Sequence, residues 1–298
     1  LVMKMNNLET FLKVAEKMNI TEAARELYIS QPAVSKVVKN LEESLGVKLF
    51  LRDKQNGLLL TEVGKEILIL ARKMKLIENK MYQVAYQENQ LLRGKVKVGS
   101  FPAVSTKILP QVISLFRSKF PDVKIELVEG TSNQIKKWVG ERSIDFGIVS
   151  SPFDSFEYKV LYHDYMVAVI PDHHNLSDVQ KINLENYQGD IIFCKGGHEL
   201  ALTKKLQKND ITYKENLTVQ NAETLINMVK RNLGIGIISS FTLSSVRHHL
   251  IIKDIIPRVT REIGVITHSF EEVTPASKNF INFIMDTDFN DQALFETQ

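Results

Sequence analysis

The sequence predicts an α/β protein with an all-α, winged part at its N-terminal end. Three observations lead there. Two short amphipathic helical patterns joined by a tight turn occupy residues 8–46. An apolar repeat with spacings of three and four then runs from Ile67 to Leu91, with no proline and no glycine inside it. From residue 94 onward, short runs rich in Val and Ile alternate with helical stretches.

Leu8, Phe11, Leu12, Ala15 and Met18 mark one face of a first helix. Thr21 reads as the N-cap of "EAARELY", with Ala24 and Leu27 facing inward. The next helix opens on Ser-Gln-Pro. Pro32 suits its first turn, where the amide would have no partner and φ is already helical. Val34, Val37, Val38, Leu41 and Leu45 form its apolar stripe, and Gly46 ends it as a left-handed cap. Burying that stripe leaves Gln31, Ser35, Lys36 and Lys39 on the other face.

Those residue types suit duplex DNA. Glutamine makes a bidentate contact to adenine N6/N7, serine donates or accepts at base edges, and lysine meets phosphate or guanine. The N-terminal end of the second helix of such a pair enters the major groove, and its dipole favours phosphate. After Gly46, "VKLFLR" and "LLLT" flank "DKQNG", where Asn56-Gly57 signals a hairpin. This makes a wing, with Arg52 and Lys54 available to the DNA backbone.

The repeat that follows, Ile67, Leu70, Met74, Ile77, Met81 and Val84, is a heptad seam on one long helix. A lone helix would leave that seam in water, so a partner is implied, most simply an identical chain. Farther on, "KVKVGS", "VKIELVEG", "IDFGIVS", "YMVAVIP", "DIIFCK", "NLTVQ", "IGIIS" and "EIGVITH" read as strands. Between them "TKILPQVISLFRSKF", "SNQIKKWVGE", "NAETLINMVKRN" and "ASKNFINFIMD" read as helices. That alternation predicts mainly parallel sheets in two subdomains.

Composition narrows the function. The formal net charge is only +3, and residues 1–64 carry nine Lys/Arg against eight Asp/Glu, so a nucleic-acid reading rests on where side chains point. No window approaches the ~18–20 apolar residues of a membrane span. The N-terminal stretch lacks the apolar core of a signal peptide, so a cytoplasmic location is expected. The single Cys194 excludes an intramolecular disulfide and a cysteine metal cluster. "GIGII" lies in a strand and is not a dinucleotide fingerprint, and "GGHEL" at 196–200 lacks the second histidine of a zinc-protease motif. His173-His174 and His248-His249 are adjacent pairs that cannot both face one metal from regular backbone. With no nucleophile–base arrangement, neither catalysis nor a cofactor or metal is expected.

The stretch "FLKVAEKMNITEAARELYISQPAVSKVVKNLEESLGVKLFLR" followed by "LTEVG" resembles the winged helix-turn-helix of the LysR-type transcriptional regulators. The later "GKVKVGS…ILPQVISLFRSKFPDVKIELVEGTSNQI…SIDFGIV" and "NMVKRNLGIGIIS" resemble that family's effector-binding domain. Residues 1–64 would form the DNA-binding domain and 65–93 a dimerisation linker helix. Residues 94–298 would form a two-lobed, periplasmic-binding-protein-like domain, with lobe I at 94–167 and 267–298 and lobe II at 168–266. The resemblance implies a promoter-bound homodimer or homotetramer, contact with RNA polymerase, and a small-molecule effector in the inter-lobe cleft; the helix N-termini after Ser100 and Thr131 would present amides and a positive dipole end there, which suits an anion. It places Ser100, Phe101, Thr131 and Cys194 at that effector, and Thr21 and Pro32 among the DNA-facing residues. Three departures stand out: Glu22 where relatives have a basic residue, Lys36 where arginine is common, and a "DKQNG" wing one residue longer than the commonest form, which bears on Lys54 and Gln55. Taken alone, the α/β half would also fit a solute-binding protein or an enzyme on the same two lobes.

Overall fold

Phe11 is the centre of the first packing unit. It lies on α1 (Met5–Lys17), which packs with α2 (Ile20–Glu26) and α3 (Gln31–Leu45). Leu8, Phe11, Val14, Ala23, Ala24, Val34, Val38 and Leu41 bury together, as their helical spacing requires. The computed structural model describes residues 5–53, 55, 57–88, 92–187, 189–194 and 214–287. They fall into two compact units, one built on residues 1–89 and the other on 90–140 and 144–298.

Helix ends show where local chemistry decides. Asn19, not Thr21, caps α2: its Oδ1 accepts the amides of Thr21 at 2.9 Å and Glu22 at 3.1 Å. The helix therefore starts one residue before Thr21, on an even stronger capping residue. Ser30 caps α3, and Gly46 ends it at φ +71°. Leu45 lies beyond the core and is 38% exposed.

The wing pairs β1 (Phe50–Asp53) with β2 (Gly57–Leu60) in antiparallel register, Phe50 opposite Leu60 and Asp53 opposite Gly57. Gly57 has φ +77°, as the turn requires. Lys54 and Asn56 lie outside the described residues. Glu42 ties the wing to α3. Its buried carboxylate accepts the amides of Leu49 (2.9 Å) and Phe50 (3.2 Å), and Lys48 Nζ donates to it at 2.7 Å. Burial pushes the Glu42 pKa up, but Lys48 and the two amides outweigh it, and the net shift is downward.

Helix α4 spans Glu62–Glu88. Its start is locked to the wing, because Thr61 Oγ1 donates to Lys48 O at 2.7 Å and accepts from Gly64 N at 2.8 Å. A Cβ on Gly64 would meet Leu49 O at 2.2 Å, so only glycine fits there. Leu68 and Ala71 turn into the Phe11 core, and Ile67 rests beside it. Ile67 therefore serves its own chain first, while Leu70, Met74, Ile77, Met81 and Val84 stay 37–69% exposed.

The second unit has two lobes. Lobe I orders β4 (Val123–Glu129), β3 (Gly94–Ser100), β5 (Phe146–Ser150), β12 (Thr260–Thr267) and β6 (Glu157–Ile170) side by side. Helices α5 (Pro102–Lys107), α6 (Leu109–Lys119), α7 (Ser132–Gly140) and α10 (Pro275–Met285) cover it, with Phe116, Phe146 and Phe280 in its core. The predicted single helix 106–120 is thus two, divided at Ile108 and with proline in the opening turn of each.

Lobe II continues from β6 through β10 (Ile235–Ser239) and β8 (Asp190–Cys194) to β9 (Lys214–Val219), with α8 (Ala222–Lys230) and α9 (Ser240–Leu243). Strands β7 (Lys181–Asn183) and β11 (Ile251–Ile256), which the sequence did not suggest, extend it beside β6. The sheets are mixed rather than mainly parallel. Strand β6 pairs antiparallel with β12 along Glu157–Tyr165 and with β10 along Met166–Val169, so one strand crosses both lobes. Because β12 pairs with β5 in lobe I, the chain re-enters that lobe near residue 260, not at 267.

Candidate nucleic-acid interface and inter-lobe cleft

With the Phe11 core filled, the outer face of α3 carries exposed Gln31, Pro32, Lys36 and Lys39, with Ser35 half-buried between them. Gln31 Nε2 donates to Ser35 Oγ at 2.9 Å, which aligns the two side chains along the helix. Lys39 sits 3.6 Å from Glu43 on the same exposed face. A groove of about 400 Å³ between α3 and the wing is lined by Ser35, Lys39, Lys48 and Arg52. The fold thus brings Arg52 to the α3 face from a distant part of the sequence. It adds Lys48, which the sequence reading missed, since nothing local distinguishes it from other surface lysines. Thr21 is exposed at the start of α2, its amide held by Asn19.

The second site is a cleft of about 400 Å³ between the lobes. Phe101, Thr131 and Cys194 are among the residues that line it. Ser100 is not: it is fully buried, and its hydroxyl donates to Phe101 O at 3.2 Å. Thr131 opens α7 with a reciprocal pair, its Oγ1 accepting from Gln134 N at 3.3 Å and Gln134 Oε1 accepting from Thr131 N at 2.9 Å. That capping box was legible in "TSNQ". Across the cleft, Asn221 caps α8 by accepting from Thr224 N at 2.9 Å. The lining carries two carboxylates, Glu129 and Glu223, and no lysine or arginine among the described residues. This weakens the expectation of an anionic ligand, since the α7 and α8 amides alone would have to offset both charges.

Behind Phe101 lies the fully buried Arg261, its guanidinium 6.0 Å from the Phe101 ring centroid. Arg261 Nε donates to Asp164 Oδ2 at 2.6 Å and Nη2 donates to Ser239 Oγ at 2.7 Å. Asp164 Oδ1 accepts the amides of Tyr165 (2.8 Å) and Phe241 (3.0 Å). This network ties β6, β12 and β10 together where the chain passes between lobes. Burial pulls the Arg261 pKa down against the opposing pull of Asp164. Nearby, Lys107 Nζ donates to Ser244 Oγ at 2.6 Å, and burial lowers its pKa to about 8.

Of the histidine pairs, His174 and His248 each accept a local amide, from Leu176 and Leu250. The "GGHEL" segment lies outside the described residues. No helix among the described residues is long and apolar enough to cross a membrane.

Two family descriptions match this chain. "Bacterial regulatory helix-turn-helix protein, lysR family" matches residues 5–65, and "LysR substrate binding domain" matches residues 89–288. Among curated proteins, the HTH-type transcriptional regulator YoaU of Bacillus subtilis is 64% identical over 95% of this chain and 98% of its own length. YvbU of the same organism, also an HTH-type transcriptional regulator, is 35% identical over 94% and 97%. Among solved structures, full-length OxyR from Pseudomonas aeruginosa superposes with a TM-score of 0.74 at 20% identity, covering 96% of this chain and 97% of that one. CbnR in complex with its target DNA gives 0.61 at 19% identity, covering 95% and 99%.

Proposed function

This chain belongs to the LysR family of transcriptional regulators, and from that premise we propose how its parts divide the work. Helix α3 enters the major groove, where Gln31 and Ser35 read base edges. Lys36, Lys39, Lys48, Arg52 and Lys54 meet phosphate on either side, and Thr21 at the start of α2 faces the backbone. The observation that carries this reading is the exposed α3 face, joined to wing cations in one groove. Leu70, Met74, Ile77, Met81 and Val84 form the dimer seam, with Ile67 at its inner end. The regulator acts in the cytoplasm and carries out no catalytic step.

The inter-lobe cleft holds the effector, against Phe101, Thr131 and Cys194. Glu129 and Glu223 favour a small polar molecule with a donor or cationic group, and the capped starts of α7 and α8 accommodate an acceptor. Solute transport is set aside, because the full-length curated relatives named above are regulators.

Fluorescence anisotropy on the duplex upstream of the chain's own gene tests the DNA face. Gln31→Ala should cost ~1–3 kcal/mol on that duplex and narrow its advantage over random sequence. Lys36→Ala or Arg52→Ala should weaken both duplexes and flatten the salt dependence by about one unit of slope. Equal loss on both duplexes for Gln31→Ala would remove its base-reading role.

A further inference from the structure

The turn between α2 and α3 contains a residue that its own chain does not explain. Helix α2 closes with two backbone bonds, Tyr28 N to Arg25 O at 3.3 Å and Ile29 N to Ala24 O at 3.1 Å. This paired closure needs a left-handed residue at position 28, a place usually given to glycine. Here it is tyrosine at φ +55°. A side chain with a Cβ is disfavoured in that conformation.

The turn gains those two backbone bonds with glycine as well, and the tyrosine side chain adds no burial to offset its penalty. Tyr28 is 94% exposed, more than any other large apolar or aromatic side chain described. Met18, at φ +48°, packs against the Phe11 core, and Asn232, at φ +58°, is a residue type that tolerates the conformation. Tyr28 alone combines strain, bulk and full exposure. It stands two residues before Ser30, the cap of α3, at the end of the helix that carries Gln31. A bulky side chain kept where glycine would make the same turn without strain is a reason to look for an external partner.

We propose that Tyr28 is a DNA-positioning residue whose phenol donates its hydrogen to a backbone phosphate at the lip of the groove entered by α3. The left-handed turn throws the ring outward, where a smaller residue would leave the phosphate out of reach. Tyrosine hydroxyls are among the groups that fix register on a duplex through phosphate. Unlike the lysines beside it, Tyr28 is neutral and displaces no counterion, so its contribution does not depend on salt. The proposal rests on α3 entering the groove.

The test uses the full chain, the upstream duplex and a random duplex, each over a salt series, together with thermal unfolding. Tyr28→Gly relaxes the turn and should raise the melting temperature, yet weaken both duplexes about tenfold. Tyr28→Phe keeps the ring and should weaken both about three- to tenfold with the salt slope unchanged. A purely structural residue would behave otherwise, since Tyr28→Gly would then stabilise the protein and leave binding intact. Tyr28→Phe binding as the parent does, or losing a unit of salt slope, would overturn the phosphate contact. Gln31→Ala in the same series separates the two ideas: a silent Gln31→Ala with a weakened Tyr28→Phe would sink the base reading and leave Tyr28 standing.

Discussion

Replacing Met81 with glutamate should separate the subunits. Met81 is the most exposed residue of the α4 stripe, at 69%, so the isolated chain gains least from it and a partner would gain most. Fully burying such a side chain is worth about 1.5–3 kcal/mol, so the exposed share amounts to about 1–2 kcal/mol per copy. A symmetric pair uses it twice, and Met81→Ala should therefore weaken the dimer by about 2–4 kcal/mol, roughly 30- to 1000-fold. Glutamate adds the cost of desolvating a carboxylate on each side. One turn away in either direction lie Ile77, Glu78, Val84 and Ala85, none of which can neutralise it. Glutamate is also a good helix former, so α4 itself should persist. Sedimentation across a concentration series would show the shift to monomer, and circular dichroism would show unchanged helicity. DNA affinity should collapse with it, because each half-site supplies only part of the binding. A Met81→Glu protein that sediments as the parent does and still binds its duplex would place the dimer contact elsewhere.

Three further outcomes are expected. Thr131→Val removes half of a capping box and should cost ~1 kcal/mol in the second unit's stability, while Thr131→Ser should not; DNA affinity should be unchanged in both, and calorimetry with band-shift would check this. Arg261→Met strands the buried Asp164 carboxylate and should cost about 3–5 kcal/mol by calorimetric melting. Adding Asp164→Leu should recover much of it, and a single variant that melts like the parent would dissolve the network. Lys107 has a folded pKa of about 8, below its usual 10.5. The folded state therefore resists its charge, a penalty fully present below pH 8 and relieved as pH rises from 8 toward 10.5. Lys107→Met should raise the melting temperature near pH 7 and narrow its lead over the parent by pH 10.

What could be read from the sequence lay within one or two turns of chain. The face of Gln31, Ser35, Lys36 and Lys39 follows from where Val34, Val38 and Leu41 must go, and the α4 stripe follows from its spacing. Even the Thr131–Gln134 cap is written in four consecutive letters. Local rules fail where two neighbours compete, as when Asn19 rather than Thr21 takes the α2 cap, because both types can accept the same amides. Ile67 has the right heptad spacing, yet the tertiary packing of α1 and the wing claims it first. The rest depends on the path of the chain. Asp164 and Arg261 meet across 97 residues, and neither signals the other, since any buried carboxylate satisfies any buried guanidinium. Whether Ser100 faces the cleft or the interior depends on a strand's roll within the sheet, and here its hydroxyl turns to Phe101 O. Strands β7 and β11 become strands only because β6 runs long enough to offer β11 an edge. Periodicity and capping are properties of neighbouring residues, whereas burial and pairing belong to surfaces that exist only after the lobes have formed.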